Sequence, residues 1–185
     1  MDTVVFDIET KNTIAEVGGK ENLHKLETSL ACFYSYNKDA YFCFQDTQFS
    51  EMKAFLSQPR LLVGFSSNKF DIPILARELE LPLFEYPRID ISDEIELRTG
   101  RLIGLSELGR VNFGLEKTGS GLEAPKLYRE GKIQELAEYC QNDVELTKKL
   151  FDKIKKEKKL LIPERESDSV LSVEIDLSQA LMLLL

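Results

Sequence analysis

Two acids one residue apart close the first apolar run of this 185-residue chain, Val4-Val5-Phe6-Asp7-Ile8-Glu9-Thr10. The run is β-branched and aromatic, which is the composition of a strand. Side chains alternate across a strand, so Asp7 and Glu9 point the same way. Two carboxylates side by side repel each other. A divalent cation such as Mg²⁺ or Mn²⁺ between them would offset that repulsion, because such ions prefer hard oxygen ligands. A strand running out into a solvated acidic turn has the same sequence, and this stretch alone leaves both readings open.

Two more acids bear on the choice. Asp71 follows a continuous apolar run at residues 61–65 and precedes Pro73. Proline belongs in the first turn of a helix, so a helix is predicted from Asp71 to residue 80, with Ile74, Leu75 and Leu79 apolar. Its N-terminus favours an ionised Asp71. A long helix is predicted over 132–158, with Ile133, Leu136, Ala137, Cys140, Val144, Thr147, Phe151 and Ile154 as its buried stripe. Tyr139 and Asp143 are spaced i, i+4 and lie together on the edge of that stripe. Parallel strands bring their carboxyl ends to one edge of a sheet. If the strand at 61–65 lies parallel beside the first, Asp71 reaches Asp7, and the long helix crossing that edge adds Asp143.

The elements that must position these residues follow from the rest of the pattern. Residues 3–9 are the first strand and 11–29 a long polar loop holding Gly18-Gly19 and the single histidine, His24, which reads as a surface residue. Strands at 30–36 and 40–44 flank a hairpin turn at Asn37-Lys38-Asp39. Ser50 opens a short helix with Met52, Phe55 and Leu56 on one face. A short strand at 88–91 ends near Asp90, which reads as structural. Residues 92–109 look helical in two pieces, broken around Thr99-Gly100. Residues 112–131 hold four glycines and Pro125 and read as one mobile loop. Residues 170–178 alternate strictly and predict a half-buried strand, with Leu171, Val173, Ile175 and Leu177 facing inward. An apolar tail, 180–185, follows; packing or a partner contact would account for it.

Length and composition fit one soluble α/β domain, with 43% hydrophobic and 30% charged residues. Residues 1–160 are expected to form the domain, and 161–185 a strand and tail packing on it. Asp2 leads straight into the first strand, so no signal peptide is expected, and no apolar run approaches a membrane span. Cys32, Cys43 and Cys140 show no metal-ligand spacing and read as reduced, packed thiols in a cytoplasmic protein. The net charge of −8 argues against a protein that wraps nucleic acid, although residues 148–159 carry seven lysines against Asp152 and Glu157. That run reads as a solvated helix face. A metal-dependent protein that acts on phosphate can nevertheless be acidic, because bound cations supply positive charge where phosphate sits.

The motifs carry a resemblance. The chain resembles the DEDD superfamily of 3′-to-5′ exonucleases, which have a ribonuclease H-like fold. Phe6-Asp7-Ile8-Glu9-Thr10 is similar to its first motif. Gly64-Phe65-Ser66-Ser67-Asn68-Lys69-Phe70-Asp71-Ile72-Pro73-Ile74-Leu75 is similar to its second, in the form seen in family-B DNA polymerase proofreading domains. Tyr139-Cys140-Gln141-Asn142-Asp143 is similar to its third, and the overall flavour is that of stand-alone bacterial domains of YprB type. The histidine subclass has His five residues before the last acid. Glu138 stands there, so Tyr139 implies the DEDDy subclass.

The hairpin followed by strand-helix alternation predicts, and the resemblance also implies, a mixed five-stranded sheet of order 3-2-1-4-5 with helices on both faces, plus the C-terminal strand. The resemblance further implies two divalent ions, Mg²⁺ or Mn²⁺, held by Asp7, Glu9, Asp71 and Asp143. Asp7 would bridge both ions, and Glu9 and Asp143 would complete the one holding the attacking water. Asp71 would hold the other beside the leaving 3′ oxygen, and Tyr139 would orient the water. The implied substrate is a single-stranded 3′ end, DNA or RNA, with a polymerase or helicase as the class of protein partner left open.

Thr10 and Asn68 flank the acids as candidates for the terminal nucleotide, although each also suits a turn. Phe65 and Phe70 are candidates for base stacking or for core. Lys117 and Lys126 are candidate phosphate contacts. An inactive nucleic-acid-binding module and an endonuclease of ribonuclease H type are the competing readings. Mutually repelling acids argue against the first, and the Tyr-x-x-x-Asp pattern argues against the second.

Overall fold

Strand β1 (Thr3–Thr10) lies in the middle of a five-stranded mixed sheet, and its Val4 and Val5 are fully buried. The computed structural model describes residues 2–58, 61–115, 123–165 and 169–178. β2 (Thr28–Ser35) runs antiparallel to β1, and β3 (Ala40–Gln45) antiparallel to β2. Helix α1 (Phe49–Leu56) then leads to β4 (Leu61–Gly64), which is parallel to β1. Helix α2 (Asp71–Leu79) leads to β5 (Arg88–Asp90), parallel to β4. The order is β3-β2-β1-β4-β5, as the alternation of elements predicted.

Among the described residues four helices follow: α3 (Ile91–Thr99), α4 (Leu105–Phe113), α5 (Glu123–Arg129) and α6 (Ile133–Glu157). The sheet separates two cores. Val4, Phe6, Ile8, Ala31 and Phe33 pack with Met52 and Leu56 of α1 and Ile72, Ile74 and Leu75 of α2. Val5, Cys32, Val63 and Ile89 pack on the other face with Leu136, Cys140, Val144, Phe151 and Ile154 of α6. Each Val, Leu, Ile, Phe or Met among them taken fully out of water stabilises the fold by about 1.5–3 kcal/mol. The period-2 pattern of β1 therefore meets α1 and α2 on one side and the period-3.6 stripe of α6 on the other.

Several expectations are corrected. Residues 112–131 are not one loop: Asn112 and Phe113 finish α4, and Glu123–Arg129 is the helix α5. Ala124 and Pro125 of α5 are buried, and proline suits a first helical turn. The alternating segment at 170–178 is a strand only over β7 (Val170–Glu174), paired with a strand the pattern did not reveal, β6 (Lys159–Pro163). That two-stranded ribbon leaves Leu171 52% exposed, whereas Ile175 and Leu177 are buried beyond the strand's end. Residue 160, taken as the end of the domain, lies inside β6. The apolar tail at 180–185 lies outside the described residues.

Cys32 and Cys43 sit directly opposite each other in the β2–β3 hairpin and form a disulfide, contrary to the expected thiols. Hairpin register, invisible in the spacing of the two cysteines, brings them together. Cys140 is free and buried. Along α6, Lys148 pairs with Asp152, Lys149 with Glu145 and Lys153 with Glu157. No described helix is long and apolar enough to cross a membrane.

Candidate active site

β1 outruns its parallel neighbour. The β1–β4 register ends at Val5 opposite Val63, while β1 continues to Thr10. A buried backbone amide past that point needs another acceptor. The Ile8 amide finds one in the Asp71 carboxylate, donating to Oδ1 at 3.1 Å. Asp71 thus stands where β4 would have continued, beside Asp7 and Glu9.

The turn that delivers Asp71 is held from β5. Ser66 adopts a left-handed conformation, φ 58°, and a Cβ added to Gly64 would overlap the Ser67 side chain. The Asp90 carboxylate accepts from the amides of Ser66 at 2.9 Å and Asn68 at 2.8 Å. It also caps α3, accepting from Ser92 and Asp93 at 3.0 and 3.3 Å. The Ile72 amide donates to the Ser67 carbonyl at 2.9 Å and starts α2. Asp90 therefore fixes the entry to Asp71 through the backbone.

The other wall is α6. Strand alternation places Asp7 and Glu9 on the Val5 face, the face that α6 covers. The Cys140 thiol donates to Asp7, with Sγ 3.4 Å from its carbonyl oxygen and 3.5 Å from Oδ2. Tyr139 precedes Cys140, and Asp143 follows one turn later on the same helix.

These groups act on one another. Withdrawal from water holds the Asp7 carboxyl well above the usual range, and the charges of Asp71, Glu9 and Asp143 add to the effect. Glu9 is raised in the same way, by burial and then by Asp143 and Asp71. Burial pushes Asp71 to about 7, against the pull of its own amide and that of Ile8. The Tyr139 phenol is also raised, by burial first and then by Glu9, Asp143, Asp7 and Glu123. Among the described residues, no Lys or Arg is ion-paired with Asp7, Glu9 or Asp71. Acids buried together without a basic partner fit hard divalent cations, whose charge would compensate theirs.

The residues proposed for substrate fare differently. Thr10 is buried, and its hydroxyl donates to the Asn12 carbonyl at 2.8 Å. The Asn68 amide is engaged at both ends: Nδ2 donates to Asp93 at 2.9 Å, and Oδ1 accepts from Arg88 at 3.0 Å. Phe70 and Phe65 are half-buried, on the α2 and α6 cores respectively. Lys126 is exposed on α5 and lies 3.9 Å from Glu130. Lys117 lies outside the described residues.

Two contributors were missed by the sequence reading. Cys140 was placed in the buried stripe without a role, yet it touches Asp7. Its position directly after Tyr139, on the inward side of the helix, was the available signal. Helix α5 is pinned beside the exit of β1. Tyr128 donates to Asp46 at 2.8 Å, Lys11 pairs with the same carboxylate at 2.9 Å, and Arg129 pairs with Glu16 at 2.7 Å. Its Glu123 lies close enough to act on Tyr139. The glycine-rich composition around α5 concealed it.

A family model described as the RNase_H superfamily matches residues 4–155, which include every residue of this cluster. A solved structure described as "The structure of exonuclease I suggests how processivity is achieved" matches over 96% of this chain. The match has 11% identity and a TM-score of 0.49. This chain spans 56% of that one's length. No curated protein matches.

Proposed function

The chain belongs to the RNase H superfamily, and from that premise we propose that it is a metal-dependent 3′-to-5′ exonuclease of the DEDDy kind. It hydrolyses phosphodiester bonds at the 3′ ends of single-stranded DNA or RNA. The observation that carries this reading is the electrostatic cluster of Asp7, Glu9, Asp71 and Asp143 at the carboxyl end of β1, with Tyr139 alongside. Divalent cations held by these acids, Mg²⁺ or Mn²⁺, would supply charge neutralisation and an acidified water.

The chain's own residues do the rest. The backbone amide of Ile8 orients the Asp71 carboxylate. Tyr139 keeps its proton near pH 7, because an ordinary phenol ionises only at about 10 and burial pushes this one higher. It therefore serves as a hydrogen-bond donor that positions a reactant and not as a base. The Cys140 thiol and the α6 stripe close the floor of the site against water.

The test is digestion of 5′-labelled single strands, DNA and RNA side by side, with Mg²⁺ or Mn²⁺ and with EDTA. A ladder shortening from the 3′ end, abolished by EDTA and by Asp7→Ala, is expected. Internal cuts, or binding without cleavage, would overturn the reading.

A further inference from the structure

The acids and the thiol meet in a way that hard-cation chemistry does not require. One ligand atom from each of Asp7, Glu9 and Cys140 lies within 4.8 Å of the others. Cys140 Sγ and Asp7 Oδ2 are 3.5 Å apart. Tetrahedral bonds of about 2.0 Å to oxygen and about 2.3 Å to sulfur give an edge of about 3.5 Å. The spacing therefore suits both donors on one zinc-sized ion without movement of the chain.

Glu9 is the independent sign that something belongs there. It is only 8% exposed, and among the described residues its carboxylate accepts no hydrogen bond and joins no ion pair. A buried carboxylate without a partner is costly, and an oxygen of this one lies within 4.8 Å of Sγ.

We propose that Asp7, Glu9 and Cys140 form a mixed oxygen–sulfur site for a thiophilic divalent cation, of the zinc and cadmium class, that competes with the hard cation at the same carboxylates. Sulfur selects such ions, whereas Mg²⁺ and Mn²⁺ favour oxygen. On binding, the Sγ–metal bond forms, the thiol proton passes to solvent and no electron is transferred. The inference rests on the acidic cluster being the metal site of the proposed nuclease.

Its test does not depend on cleavage. The chelated 185-residue protein is titrated with Cd²⁺ and followed by the ultraviolet thiolate-to-cadmium charge-transfer band. The same titration is run on Cys140→Ser, and on a Cys32→Ser/Cys43→Ser double variant that removes the other cysteine sulfurs. Wild type and the double variant should show the band at one Cd²⁺ per chain. Cys140→Ser should lose it, and its ratio of Cd²⁺ to Mn²⁺ affinity should fall about ten-fold or more. Saturating Cd²⁺ without the band in wild type would overturn the proposal, as would an unchanged affinity ratio in Cys140→Ser. Should Cys140→Ser not fold, the ¹¹³Cd chemical shift of the wild-type complex decides: a sulfur-ligated shift supports the site, and an all-oxygen shift overturns it. If the wild type cleaves nothing with Mg²⁺ or Mn²⁺ yet shows the band, the nuclease reading alone fails.

Discussion

The Ile8 amide donates to Asp71 across 3.1 Å, and this bond joins β1 to the first residue of α2 between the two acids of β1. Asp71 is thus both an acceptor that the backbone needs and a charge that Asp7 and Glu9 resist. Asp71→Asn separates the two, because an amide oxygen still accepts from Ile8 while the charge is gone. Without metal at pH 8, its Tm should rise by on the order of a few degrees. The Tm increase that Mn²⁺ gives wild type should largely disappear. A variant less stable than wild type in EDTA, with the Mn²⁺ increase intact, would show that the charge is not in the site.

The same repulsion sets a pH dependence. Asp7, Glu9 and Asp71 have folded-state values above the unfolded ones, which lie at about 4. Between the unfolded and folded values the native state holds more protons, so stability falls as pH rises. The stabilisation is complete below pH about 4 and is lost through about 7 for Asp71. Calorimetry in EDTA should show a lower Tm at pH 8 than at pH 5, and Mn²⁺ should recover most of the difference at pH 8. A flat or rising profile in EDTA contradicts this account.

Tyr139→Phe keeps the ring and removes the hydroxyl. If that hydroxyl positions a reactant, single-turnover cleavage should slow by roughly 10- to 1000-fold. Metal affinity should barely change, unlike that of Asp143→Ala. A positioning donor stays protonated, so wild-type activity should show no tyrosine ionisation across pH about 6 to about 9, below the ordinary phenol value of about 10. A rate that climbs with such an ionisation, and loses it in the variant, would make Tyr139 the base.

Asp90 supports the site from outside it. Asp90→Ala leaves the amides of Ser66, Asn68, Ser92 and Asp93 without their acceptor. A destabilisation of about 2–4 kcal/mol is expected from urea unfolding. Mn²⁺ affinity should fall as well, because the turn that carries Asp71 is released. A variant that loses stability while binding Mn²⁺ normally would confine Asp90 to capping α3.

What the residue order determined by itself was local and periodic. The β-branched run at the start of β1 and the apolar repeat of α6 each dictate one element and its buried face. Proline at 73 forces a helix start near Asp71 for steric reasons that need no tertiary contact. The hairpin turn and the alternation of strands and helices pointed to the sheet order 3-2-1-4-5.

Only the tertiary structure decided relationships that depend on register and crossing. β6 carries Pro163 and lysine at its first position, and became a strand because β7 pairs with it. Cys32 met Cys43 through hairpin register. Helix α5 formed where glycine-rich composition suggested a loop, held by Asp46, Lys11 and Glu16 from distant parts of the chain. The contact of Cys140 with Asp7 is of the same kind. Heptad-like spacing placed the thiol inward, but the way α6 crosses β1 set which strand residue it would meet. A side chain's direction along its own element is fixed by backbone geometry, whereas its partner is fixed by packing between elements far apart in the chain.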